Sequence, residues 1–130
     1  MAEPLIKVVS HVRIFCMPEA WRACTEFYRD VLELQLIGVD AGAGAAIFRI
    51  GDGPTLSLEQ VDPADPADAE MVGRFTSISF RVDDIEAACR TLSARGVHFD
   101  HSPKQESWGG IVAHFRDPAA NMSTLVQHPL

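Results

Sequence analysis

The sequence predicts an α+β protein: two tandem βαβββ modules forming a curved, cleft-enclosing sheet with helices on the outer face. Three observations lead there. HFRDPAANMSTLVQ (114–127) echoes IFRIGDGPTLSLEQ (47–60) without gaps, setting Phe115-Arg116 on Phe48-Arg49, Thr124-Leu125 on Ser57-Leu58 and Gln127 on Gln60. An internal repeat changes the reading of a whole fold. The order strand, helix, three strands then occurs twice, on either side of a polar connector. The strands also alternate, so one face suits helices and the other stays polar.

The elements follow in order. VVSHVRIFC (8–16) alternates and is rich in β-branched residues, which predicts a strand. Pro18 opens PEAWRACTEFYRDVLEL at a favourable first-turn position. Ala20, Ala23, Cys24, Phe27, Val31 and Leu34 recur there at helical spacing. LQLIGVD, AAIFRI and TLSLEQV are three short strands parted by Gly-rich or Gly-Pro turns. Residues 62–73 are rich in Pro, Asp and Ala and read as a connector.

The order then restarts with FTSISFRV, a strand, and DDIEAACRTLSARG, a helix with Asp at its start and Gly at its end. VHFDHSP, GIVAHFRD and NMSTLVQ supply three more strands. One domain over 1–130 results, with module one at about 5–61 and module two at about 74–128. Val12, Ile14, Leu56 and Leu58 should pack under helix one, and Ile78, Phe80, Ser123 and Leu125 under helix two. The opposite face carries His11, Arg13, Phe15, Ser57, Glu59, Ser77, Ser79, Arg81 and Thr124. A solvated outer face or the wall of a ligand cleft both account for that row.

Composition narrows the classes. The chain is 47% apolar and 22% charged, which suits a packed globular domain. It has no apolar run of the length a transmembrane helix needs, and no signal-peptide pattern, so a soluble cytoplasmic protein is expected. The net charge of −7, with no basic stripe, argues against nucleic acid as a partner. Cys16, Cys24 and Cys89 form no CxxC pair; reduced thiols are expected, with Cys24 and Cys89 in the core. There is no Gly-rich phosphate loop at a helix start and no GxSxG elbow.

Three local signatures then carry a resemblance. His11 opens the first strand ahead of Phe27-Tyr28-Arg29-Asp30-Val31-Leu32; Val82-Asp83-Asp84-Ile85 leads to Ala94-Arg95-Gly96-Val97; Trp108-Gly109-Gly110 runs to Phe115-Arg116-Asp117-Pro118 and Asn121. In this order, across nearly the whole chain, they resemble the vicinal oxygen chelate superfamily of glyoxalases, bleomycin-resistance proteins and extradiol dioxygenases. Glu33 and Ala120 stand where that family usually has Gly. The resemblance implies metal ligands on the first and fourth strand of each module. Carried onto this chain, those positions are His11, Ser57, Ser77 and Thr124, of which only His11 is a good ligand for a catalytic divalent ion. A replacement site would draw on Glu59, two residues beyond Ser57, and on His114.

Three functions compete. The first is a metal-independent small-molecule-binding protein without cofactor, using Trp108 as a stacking surface, Phe15 as cleft floor, and Arg13, Arg49, Glu59 and His114 as polar anchors beside His11, Ser57, Ser77 and Thr124. The alternative is a metal-dependent lyase, isomerase or dioxygenase on a small oxygenated substrate. There His11 and Glu59 would be ligands, or Glu59 or His114 would move protons if burial brought its pKa toward neutrality. The third is an interaction domain that kept only the fold. The resemblance also implies a homodimer. His98 and His101, three apart on a supposed strand, should point to opposite faces.

Overall fold

The computed structural model describes residues 3–130. β1 (His11–Cys16) runs parallel to β4 (Thr55–Gln60); β3 (Ala45–Arg49) and β2 (Gln35–Asp40) continue the sheet antiparallel, in the order β1-β4-β3-β2. Module two repeats this with β5 (Phe75–Arg81), β8 (Met122–Gln127), β7 (Ile111–Arg116) and β6 (Lys104–Gln105), in the order β5-β8-β7-β6. The first strand of each module is therefore a sheet edge. This is the α+β arrangement of paired βαβββ modules, with the strands divided into two four-stranded sheets.

Alternation sorts the side chains as expected. Ile14, Leu56 and Leu58 are buried in module one, and Ser123 and Leu125 in module two; Val12, Ile78 and Phe80 pack half-buried against them. The two modules share one continuous core. α3 (Ile85–Ala94) begins where the Asp84 side chain accepts the Ala87 N–H at 3.1 Å. It ends at Gly96, whose φ of 91° lets the Val97 N–H reach back to the Leu92 carbonyl.

The first helical segment departs from the regular helix that its spacing predicts. A 3₁₀ turn (Pro18–Ala20) leads into α1 (Trp21–Glu26), which widens into a π-helical turn over Phe27–Val31. The wider turn buries Phe27 and Tyr28 side by side. Tyr28 donates to the Asp117 carboxylate at 2.7 Å, and Asn121 donates to the Phe15 carbonyl at 2.8 Å, so the loop between β7 and β8 ties module two to module one.

Four further expectations are corrected. Residues 8–10 are not strand: the register with β4 begins at His11 opposite Thr55, and only the Thr55 N–H reaches back, to the Ser10 carbonyl at 3.3 Å. The connector holds a short surface helix, α2 (Pro66–Ala69), capped by Asp65. VHFDHSP is not a strand either: it makes a single bridge, Phe99 to Phe115, and β6 begins only after Pro103. Cys89 is half-buried rather than enclosed, while Cys16 and Cys24 are fully buried.

Candidate functional site

On the polar face of the first sheet, Arg13 is opposite Ser57 and Phe15 opposite Glu59. The Arg13 guanidinium donates two hydrogen bonds to Glu59, both 2.8 Å, and lies 5.2 Å from the centre of the Phe15 ring. The pair to Arg13 holds the Glu59 carboxyl below its ordinary value. Glu59 is thus kept ionised, which overturns the expectation that burial might tune it as a base near neutrality. His11 starts the strand, exposed, with its Nδ1 3.2 Å from the Ser10 hydroxyl. It pairs with Thr55, four residues and roughly 13 Å of strand from the Glu59 position.

The second sheet carries a separate group. His114 shares a 2.9 Å hydrogen bond between Nδ1 and the buried Thr124 hydroxyl, and its ring meets those of His101 and Phe75 edge-on at 5.2 and 6.0 Å. His101 approaches His114 because its segment is a loop, not the strand that would have turned it away. His114 belongs to the other sheet from His11 and Glu59, and it does not join them.

The donor set does not fit the family's metal. Its four positions supply one imidazole and three hydroxyls; Thr124 is engaged by His114, and Ser57 is buried. Neutral hydroxyls are weak ligands for catalytic Zn²⁺, Ni²⁺ or Fe²⁺. Among the described residues, no three His, Cys, Asp or Glu side chains converge to hold an ion, so the His11–Glu59–His114 replacement does not form.

A cavity of about 910 Å³ lies elsewhere, along the free edges of β1 and β5. Its apolar lining includes Val12, Leu34, Ile50, Ile78, Phe80 and Leu92, with Arg13, Glu33, Ser77, Ser79, Arg81 and Arg95 among its polar groups. β5 contributes both of its rows because, among the described residues, no strand pairs with its outer edge. Ser77 sits in β5 at a φ of 64°, and the β5–β8 register shifts between Phe75 and Ser79. Of the sequence-derived candidates, only Arg13 and Ser77 line this space. Trp108 does not: it is half exposed, edge-on to His128 at 6.1 Å, with its ring where a side chain on Gly110 would stand. Arg49 ends β3, exposed, and is not among the lining residues, although its neighbour Ile50 is.

The residues that sequence reasoning missed are Ile78, Phe80 and Arg81. They had been assigned to strand faces, but not to a strand edge. The signal available was the repeat, since two copies of one module must share one strand order.

Comparison with known proteins bears on this geometry. The sequence model of the glyoxalase/bleomycin resistance protein/dioxygenase superfamily matches residues 17–123. The chain is 26% identical over 110 residues to the uncharacterized protein YraH of Bacillus subtilis (strain 168), covering 78% of this chain and 85% of that protein. A crystal structure of a superfamily member from Sphaerobacter thermophilus DSM 20745 superposes with a TM-score of 0.80 at 26% identity, covering 96% of this chain and all of that one. The structure of TnmS3, an antibiotic binding protein from Streptomyces sp. CB03234, gives a TM-score of 0.75 at 26% identity, with 96% and 98% covered.

Proposed function

Because the chain belongs to the glyoxalase/bleomycin resistance protein/dioxygenase superfamily, we propose that it is a small-molecule-binding protein that works without the metal of its enzyme relatives. The observation that carries this reading is the cavity between β1 and β5. Its size falls within the range of small-molecule pockets, and an apolar lining with a few polar groups is how such pockets combine affinity with orientation. The family's metal positions, reduced to His11 and three hydroxyls, support the same conclusion. So does the likeness to TnmS3, which is described as an antibiotic binding protein.

A thermal-shift screen of organic compounds, run with and without EDTA, tests the reading. Compounds that raise the melting temperature equally in both conditions are the expected result. Stabilisation that disappears with EDTA and returns with a divalent ion would overturn it.

The binding form is proposed to be a homodimer in the cytoplasm. Leu5, Ile6, Val8 and Val9 are 63–95% exposed in the segment leading into β1, and a contiguous run of exposed aliphatic side chains suits a protein interface. The free thiols fit a reducing compartment, and no described helix is long and apolar enough to cross a membrane. Light scattering should give twice the chain mass for the intact protein and the single-chain mass once residues 3–9 are removed. A monomer at both lengths would refute the dimer.

A further inference from the structure

We infer that the cavity along β1 and β5 takes an amphipathic anion: an apolar, aromatic-sized body bearing one carboxylate, sulfonate or similar group that Arg81 receives. This deepens the small-molecule reading and rests on it. The inference comes from tracing each charge on the cavity lining to its partner.

Four charged residues line the space: Arg13, Glu33, Arg81 and Arg95. Arg13 is held by both carboxylate oxygens of Glu59. Arg95 donates to Glu33 at 3.0 Å and to the Val31 carbonyl at 2.8 Å. Arg81 alone makes no ion pair or side-chain hydrogen bond among the described residues. The acids that follow it do not answer it: Asp84 is engaged in capping α3, and Asp83 forms no pair with it.

The internal repeat explains why this cation is free. Extending the alignment of 47–60 on 114–127 sets Val126 at the place of Glu59. Val126 is the register partner of Arg81 across β5 and β8. Module one thus pairs its edge-strand arginine with a carboxylate on the fourth strand, while module two presents an aliphatic side chain there. An unmatched guanidinium at an apolar cavity, in a chain whose net charge is −7, selects the sign of what enters. Ser79, two residues before Arg81 on the same face of β5, adds a hydroxyl donor for a second anion oxygen. Ile78, Phe80 and Leu92 supply the apolar surface for the rest of the ligand.

Two fluorescent probes with the same aromatic body separate the terms: 8-anilinonaphthalene-1-sulfonate, an anion, and N-phenyl-1-naphthylamine, which lacks the sulfonate. Each is titrated into the full chain, Arg81→Gln, Ile78→Trp and, as a distant control, Arg90→Gln. The expected result is one saturable site per chain and at least about tenfold tighter binding of the anion. Arg81→Gln should erase that preference, and Arg90→Gln should leave it intact. Equal affinity for both probes, unmoved by Arg81→Gln, would overturn the charge assignment and leave the cavity reading standing. No saturable binding, or unchanged binding in a folded Ile78→Trp protein, would overturn both. Leu34→Trp, at another lining position, replaces Ile78→Trp if the latter does not fold.

Discussion

Replacing Tyr28 with Phe removes one oxygen from the centre of the molecule and nothing else. The hydroxyl donates to Asp117 at 2.7 Å across the boundary between the modules, and both residues are buried. Asp117 also accepts the Asn121 side-chain N–H at 2.9 Å and the backbone N–H groups of Ala119 and Asn121 at 2.8 and 3.0 Å. No cation pairs with this carboxylate among the described residues, so its donors carry its solvation. A hydrogen bond to a charged group is worth about 1.5–3 kcal/mol net, and the burden falls on a carboxylate that stays buried. The Phe ring keeps the edge contact with Phe27 at 5.2 Å and the packing on Phe48, so little apolar contact is lost. The expected cost is about 2–3 kcal/mol, or roughly 6–12 °C in melting temperature for a domain of this size. Urea unfolding should show a lower midpoint at unchanged slope.

The same substitution has an alkaline signature. Burial, then the Asp117 charge, pushes the Tyr28 pKa well above its ordinary value. The folded chain therefore holds a proton that the unfolded chain releases above about pH 10. This contribution is fully present below that pH and is lost as the pH rises beyond it. Tyr28→Phe should lack that part of the alkaline decline. A loss under about 0.5 kcal/mol, or an identical alkaline slope in both proteins, would refute the account.

Three other outcomes are expected. Ala120 and Glu33 stand at φ values of 66° and 60°, where an L-residue costs about 1–2 kcal/mol, offset on replacement by Gly's greater unfolded entropy of about 0.4–1 kcal/mol. Ala120→Gly should stabilise the fold by roughly 0.5–1 kcal/mol in urea unfolding, and destabilisation by it would contradict the turn geometry; Glu33→Gly also gives up the 3.0 Å pair with Arg95, so its gain should be smaller, by up to about 1 kcal/mol. Ellman's reagent should titrate only Cys89 in the native protein, slowly, because burial raises its pKa, and all three thiols in denaturant; rapid reaction of Cys16 or Cys24 would show the core open. Gly110→Ala should expel the Trp108 ring from above the backbone, weakening the near-ultraviolet circular dichroism while leaving the melting temperature within a few degrees; an unchanged spectrum would count against the stacked position.

The fold was legible where periodicity acts locally. Ile14, Leu56, Leu58 and Leu125 fall inward by strand alternation alone. Tyr28 was not legible, because a π-helical turn adds a residue that a regular spacing does not contain. What rewards that insertion, Asp117, lies 89 residues further along the chain. The tract 97–103 failed for a related reason. Its composition suits a strand, but the Val97 N–H is used in ending α3 and Pro103 has none to give, leaving the single bridge at Phe99.

The site divides along the same line. The first-strand edges of the two modules look interchangeable in sequence, each a short alternating run with an arginine on its polar row, His11-Arg13-Phe15 and Ser77-Ser79-Arg81. Arg13 was a candidate as a polar anchor on the face shared with His11 and Phe15, and Arg81 was placed on the corresponding face without that role. The fold reverses their order of importance through one residue on the neighbouring strand. Glu59 neutralises Arg13 in module one, and Val126 leaves Arg81 uncompensated in module two. The repeat therefore preserves the strand order and the edge, which are requirements of packing. It lets the fourth-strand side chain diverge, and that side chain decides which arginine is available to a ligand.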